Sequence, residues 1–193
     1  MKIGIFGGSF NPPHKRHLDL GLELIEKGYV DKIIYVPTGN KYKYKTNLVE
    51  DIHRFRMLEI MSQEYDDILV SDYELKDEVI YTCDTLVYFS NLYKDDELYF
   101  ICGDDNLSYV DEWKNGLDML SKYKFIVLRR NGNLILELLE KYDKYRNNII
   151  VADIKPYELS STEIREKLML GNDVSKLIDE NVLKYIENNE LYR

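Results

Sequence analysis

Apolar positions in this chain come mostly in short unbroken runs, separated by longer stretches in which they recur every three or four residues. Ile3, Ile5 and Phe6 form the first run, Lys32–Val36 the second and Ile68–Val70 the third. Glu97–Cys102, Lys124–Leu128 and Ile149–Ile154 follow. Runs this short, rich in Ile, Val, Phe and Tyr, predict buried strands. Between them, Leu18, Leu22 and Ile25 set an apolar stripe on a first helix that Gly28 ends, and Pro37 stops the second strand. Ile52, Phe55, Leu58 and Met61 make the apolar face of a second helix over 51–64. Helices are also predicted from Thr82 to about Tyr93, from Leu134 to Tyr145 and from Val182 to Leu191. Strand, helix and strand in alternation form βαβ units. The expected architecture is α/β, a doubly wound, mainly parallel sheet with helices on both faces. One domain over 1–193 is expected, with a C-terminal helical part at about 160–193.

The chain opens Met1-Lys2-Ile3-Gly4-Ile5-Phe6-Gly7-Gly8-Ser9-Phe10-Asn11-Pro12-Pro13-His14-Lys15-Arg16-His17. Gly7 and Gly8 at the end of a strand predict a tight turn whose missing side chains let a ligand approach. Asn11 is the expected cap of the next helix, and His14 and His17, three apart, share one face at its start. A glycine turn at a helix N-terminus is an anion site, and two imidazoles add hydrogen-bond donors for phosphate oxygens. Zinc is the competing role for the two histidines. It ranks below phosphate, because no Glu lies between them and the third histidine is the distant His53.

Toward the other end, Leu159-Ser160-Ser161-Thr162-Glu163-Ile164-Arg165 starts another helix. Ser160 or Ser161 caps it, with Glu163 at capping-box distance from Ser160. The same residues offer hydroxyls, helix N–H groups and a guanidinium one turn in, which suit a triphosphate. Gly103-Asp104-Asp105 follows a strong strand, where open α/β sheets bind ligands. Asp105 suits a ribose hydroxyl, and a plain helix cap is the competing role. In Thr82-Cys83-Asp84, Thr82 or Asp84 is the expected cap. A lone Trp is usually core, but the charged residues on both sides of Trp113 leave an exposed or edge position open.

The segment Gly7–His17 resembles the signature of the nucleotidylyltransferase superfamily, a Rossmann-like group with an H-x-G-H motif. Arg16 stands where that family usually has Gly, so the resemblance implies that Arg16 folds away or alters the seat of the nucleobase. Tyr81–Leu86, the spacing from Gly103-Asp104-Asp105 to Trp113, and Ser160–Arg165 resemble the nicotinate mononucleotide adenylyltransferases. The resemblance implies transfer of an adenylyl group from ATP, with Mg2+ accompanying the ATP, to nicotinate mononucleotide. It implies that His14, His17 and Arg165 are catalytic. Gly7, Gly8, Ser9, Phe10, Gly103, Asp105, Ser161 and Thr162 would bind ATP with them. Lys43, in the basic island Lys41–Lys45, would replace the lysine of a Pro-Pro-His-Lys segment that this chain lacks. Thr82, Trp113 and Lys114 would hold the pyridine nucleotide. Trp113 stacks on the ring in that family, and Lys114 stands where Tyr is common. His53-Arg54 resembles a His-Arg pair of the family, with loop-holding and ligand contact weighed about equally.

Length and charge narrow the classes. At 193 residues the chain suffices for a substantial core, and its net charge of −9 makes the surface as a whole no attractor for nucleic acid. Cys83 and Cys102 lack metal spacing and suit buried, reduced thiols, hence a cytoplasmic protein. Met1 leads straight into a strand without room for a signal peptide, and no apolar run reaches membrane-spanning length. The expected partners are ATP and a phosphate acceptor, with no nucleic acid, no membrane and self-association left open. The alternatives are a sister enzyme acting on nicotinamide mononucleotide or phosphopantetheine or using CTP, a non-catalytic nucleotide-binding regulator, and a nucleic-acid-binding module.

Overall fold

A computed structural model describes residues 1–42, 47–130, 134–156 and 159–193. Lys43, the candidate lysine of the basic island, lies outside them. Six strands form one sheet: β1 (Lys2–Gly8), β2 (Lys32–Pro37), β3 (Ile68–Val70), β4 (Glu97–Gly103), β5 (Lys124–Leu128) and β6 (Ile149–Val151). Their order is β3-β2-β1-β4-β5-β6. The pairs β1–β4, β4–β5 and β5–β6 run parallel, with Ile5 opposite Phe100 and Phe100 opposite Phe125. This is the doubly wound order of dinucleotide-binding sheets, and it reverses between β1 and β4. Ile3–Phe6, Ile33–Pro37, Tyr99–Cys102 and Phe125–Leu128 are buried without alternation, as strands covered on both faces must be.

The chain divides into two compact units. One comprises Met1–Gly7, Glu23–Ile33 and Tyr81–Glu158, and the other Gly8–Leu22, Ile34–Ile80 and Leu159–Arg193. The helices are α1 (Lys15–Glu26), α2 (Asp51–Ser62), α3 (Thr82–Leu92), the short α4 (Asp104–Leu107), α5 (Gly116–Lys122), α6 (Leu134–Lys141), α7 (Ser161–Met169) and α8 (Glu180–Asn188). Gly28, at φ 70°, ends α1 as its position predicts. Cys83 and Cys102 are buried free thiols. No helix among the described residues is long and apolar enough to cross a membrane.

Several expectations need correction. The core face of α1 carries Leu20 and Leu24, whereas Leu18, Leu22 and Ile25 are only half-buried. That helix holds five large aliphatics within eight residues, so two stripes fit the period equally and only packing selects one. On α2, Ile52 is exposed and Arg54, Met57, Leu58 and Met61 are buried. The buried set keeps the spacing of a helix face but is shifted, with an arginine at its head. The 134–145 helix stops at Lys141 and a 3-10 segment, Asp143–Asn148, follows. The last strand stops at Val151, and α8 starts at Glu180, capped by Asp179.

Candidate active site

In the unit containing Gly8–Leu22, the segment between β1 and α1 is pinned from three places in the sequence. Gly7 and Gly8 do not make its turn. Both belong to extended β1, and the left-handed residue is Phe10, at φ 46°. A Cβ on Gly8 would come within about 3 Å of the Phe10 ring, so this glycine leaves room for an aromatic that folds back on the strand end. Asn11 does not cap α1 either. Its side-chain amide donates to the Asn47 carbonyl (3.1 Å), and its oxygen accepts from the Val49 N–H (3.2 Å) and the Tyr192 hydroxyl (2.8 Å). The prolines at 12 and 13 delay the helix until Lys15, which leaves Asn11 too far upstream to reach its first turn.

His17 caps α1 instead. Its Nδ1 accepts from the His14 backbone N–H at 3.1 Å, one turn back. That bond sets the tautomer: the neutral ring carries its proton on Nε2, which is therefore the donor. The two imidazoles stack at 3.6 Å between centroids, 20° apart. His14 is buried, His17 is half-buried, and the Phe10 ring packs edge-on against His17 at 5.0 Å. Tyr35 of β2 donates from its hydroxyl to the His17 carbonyl (2.6 Å), tying the first turn of α1 to the sheet. Arg16 lies in this turn, half-buried.

The C-terminal motif meets this segment directly. Arg165 Nη1 donates to the Asn11 carbonyl at 2.8 Å, and the Ser161 hydroxyl donates to the Pro12 carbonyl at 2.9 Å. Thr162 Oγ1 accepts from Arg165 Nη2 at 3.1 Å, which fixes the guanidinium plane. Ser160 caps α7 by accepting from the Glu163 N–H, as its position predicts. The Glu163 carboxylate pairs with Lys167 at 2.7 Å.

Arg54 is the residue whose weight the sequence understates. It is fully buried. Nε donates to the Val49 carbonyl (2.9 Å), Nη1 to the Ser9 carbonyl (2.8 Å), and Nη2 to the Thr38 carbonyl and Asn40 Oδ1 (both 2.6 Å). One guanidinium thus ties the strand-end turn to Thr38 and Asn40 on one side and to Val49 on the other. Burial lowers its pKa, opposed by the charge of Asp51 and by Tyr192 and Glu74. The hydrogen bonds and intrinsic basicity of a guanidinium keep it charged there. Of the two roles weighed for the His-Arg pair, Arg54 has the loop-holding one. A signal was present: position 54 shares a helix face with 57, 58 and 61, so a charged side chain stood where the period demanded burial. His53 Nδ1 lies 2.9 Å from the Tyr185 hydroxyl of α8.

The other unit holds the remaining candidates. Gly103 precedes α4, where Asp104 is buried and accepts from the Asp105 N–H (2.9 Å) and the Arg130 N–H (3.2 Å). Asp104 is the structural carboxylate of the pair. Asp105 Oδ2 bonds Arg130 Nη1 at 2.7 Å, while its Oδ1 is shielded and meets no donor among the described residues. Thr82 is the first residue of α3 rather than its cap. Asp84 supplies the bond, accepting from the Tyr81 N–H at 3.1 Å. Lys114 Nζ reaches both oxygens of Asp84 (3.2 and 3.1 Å) and lies 4.7 Å from the Tyr81 ring centroid. The pairing with Asp84 raises the Lys114 pKa. Trp113 is half-buried, its ring T-shaped to Phe100 at 6.2 Å. Its turn is tight: a Cβ on Gly116 would overlap the Val110 carbonyl. Asp111 steadies the same turn, accepting from Lys141 Nζ (2.9 Å) and the Tyr142 hydroxyl (2.7 Å).

The sequence profile of the cytidylyltransferase-like family matches residues 5–167, which takes in both the glycine-histidine segment and most of α7. This chain belongs to that family. Among its relatives, a probable nicotinate-nucleotide adenylyltransferase of Clostridium acetobutylicum is 38% identical over 197 residues, covering 99% of this chain and 98% of that one. Another, of Acholeplasma laidlawii, is 38% identical over 190 residues, covering 97% and 96%. The Plasmodium falciparum nicotinic acid mononucleotide adenylyltransferase complexed with NaAD superposes with a TM-score of 0.82 at 24% identity, over 99% of this chain and 97% of that one. That likeness establishes the fold.

Proposed function

We propose that this protein is an adenylyltransferase that joins ATP and nicotinate mononucleotide, giving nicotinate adenine dinucleotide and pyrophosphate. The observation that carries the proposal is the meeting of the chain's two motif segments, Arg165 on the Asn11 carbonyl and Ser161 on the Pro12 carbonyl. The names of full-length relatives supply the substrates.

In the reaction, a phosphate oxygen of the mononucleotide attacks the α-phosphorus of ATP in line. The new P–O bond forms as the bond from that phosphorus to the bridging oxygen breaks, and pyrophosphate leaves. Positioning and charge stabilisation supply most of the acceleration in such transfers. His17 donates from Nε2 to the α-phosphate, and His14 stacks beneath it and serves the same centre. Ser161, Thr162 and Arg165, with the N–H groups of the first turn of α7, hold the β- and γ-phosphates. Gly7, Gly8, Ser9 and Phe10 line the approach of the nucleotide. Asp105 accepts from a ribose hydroxyl beside Gly103. Trp113 stacks on the pyridine ring near Thr82. Lys114, bound to Asp84, fastens the Trp113 turn to the start of α3.

Mg2+ would accompany ATP and offset the negative charge of its phosphates, whose oxygens are ligands of the kind it prefers. Among the described residues no three His, Cys, Asp or Glu side chains come together as a metal cage, and no step here passes through a protein-held metal. The testing experiment supplies purified protein with ATP, Mg2+ and a panel of phosphate acceptors. Pyrophosphate release with nicotinate mononucleotide above every other acceptor is expected. Release with phosphopantetheine alone, or none with any acceptor, overturns the proposal.

A further inference from the structure

We propose that Tyr192 is a positioning residue for adenylyl transfer, acting through Asn11 on the segment that carries the two imidazoles. The inference rests on the nucleotide role proposed for that segment. Tyr192 lies 181 positions from Asn11 in the chain, yet its hydroxyl donates to the Asn11 side-chain oxygen at 2.8 Å. That oxygen also accepts from the Val49 N–H, so both its lone pairs are used. The amide nitrogen donates to the Asn47 carbonyl, and the Asn11 backbone carbonyl receives Arg165. Asn11 is almost completely buried, at 2% exposure. It is a buried polar hub whose bonds reach three separate parts of the chain: Asn47 and Val49, Arg165, and Tyr192.

The backbone around Tyr192 shows that the contact is enforced. Glu190 and Tyr192 take φ values of 53° and 63°, the left-handed region that disfavours residues with a side chain. The segment turns off α8 through the bond from the Leu191 N–H to the Ile186 carbonyl (3.0 Å) and returns the phenol to Asn11. Burial raises the pKa of this phenol well above the ordinary range, so it remains a protonated donor at neutral pH. Asn11 is followed at once by Pro12, Pro13 and His14, a stiff connection. A shift at the amide therefore passes to the imidazoles, where displacement of about 1 Å is expensive for in-line transfer.

Tyr192→Phe deletes one oxygen and keeps the ring. It is expected to lower kcat about three- to tenfold, the worth of one ordinary hydrogen bond. The KM for nicotinate mononucleotide should stay near its parental value, and the melting temperature should fall by only a few degrees. In an Asn11→Ala background, the same substitution should cost no further activity. A second readout needs no turnover. The chain has three histidines, so imidazole resonances are simple to follow. Tyr192→Phe should shift the His14 and His17 signals and leave that of His53, which faces Tyr185, in place. An unchanged His14–His17 pair with parental kcat overturns the inference, and so does a full additional loss in the Asn11→Ala background. Failure of the unaltered protein to make dinucleotide would overturn the proposed function instead, and the resonance shifts would still decide the role of Tyr192.

Discussion

The glycine-histidine segment and the Trp113 turn, one in each compact unit, are held by different kinds of bond. Around the first, side chains are spent on backbone carbonyls: Arg54 on Ser9, Thr38 and Val49, Arg165 on Asn11, Ser161 on Pro12 and Tyr35 on His17. Arg54, Asn11 and His14 are buried. Around the second, Lys114 pairs with Asp84 and Lys141 with Asp111, and the lysines of both pairs remain exposed to water. Buried bonds to charged donors are strong and leave expensive gaps when broken, whereas exposed ion pairs contribute little. A rigid frame suits a centre where charge develops in the transition state. An adjustable one suits the binding of an aromatic ring.

Four substitutions would break or sharpen this contrast. The largest effect belongs to Arg54→Met, which strands three carbonyls and Asn40. We expect a loss of about 3 kcal/mol of stability, read from denaturant midpoints. A midpoint matching the parent's would mean that the loop does not need its anchor. Next comes His17→Ala, expected to lower kcat by about 10², the usual effect of removing one transition-state donor. Because the ring also caps α1, circular dichroism of the variant should be checked alongside. Near-normal turnover would take His17 out of the chemistry.

Effects in the other unit should be smaller and of another kind. Trp113→Ala is expected to raise the KM for nicotinate mononucleotide about tenfold with kcat nearly kept, in line with the worth of one stacked base. Unchanged steady-state constants would return Trp113 to a packing role. Asp111→Asn should have the smallest effect. Hydrogen bonds from Lys141 and Tyr142 hold this carboxyl below the usual carboxylate range. Its pairing therefore stabilises the fold above the ordinary carboxylate pKa and is lost as pH falls through the depressed value. Melting curves should show the variant weaker by less than about 1 kcal/mol at neutral pH, with the difference vanishing in acid. A difference that grew in acid would reverse the sign of that linkage.

Much of this was legible in the sequence, for physical reasons. Strands buried on both faces, β1, β2, β4 and β5, write themselves as unbroken apolar runs, while β3 and β6 are only partly buried and are legible from their Ile, Leu and Val content alone; Ser160 announces α7 by its capping pattern. The N-terminal and C-terminal motifs could be paired because both offer donors to phosphate. What was not legible depended on tertiary partners. Asn11 beside a helix looks like a cap until Val49, Asn47 and Tyr192 are seen to claim its amide. The stripe of α1 was ambiguous because leucines occupy both candidate faces. Arg54 looked like part of a motif rather than an anchor, since its partners are carbonyls, which every sequence has everywhere. Tyr192 carried no local signal at all.

The central claim is that the glycine-histidine segment and the start of α7 serve one polyphosphate. Calorimetric titration of a non-hydrolysable ATP analogue against the unaltered protein, His17→Ala and Arg165→Ala tests it most directly. The account predicts that each variant binds the analogue about tenfold or more weakly, while both keep the parental affinity for nicotinate mononucleotide. Parental affinity for the analogue in Arg165→Ala would contradict it.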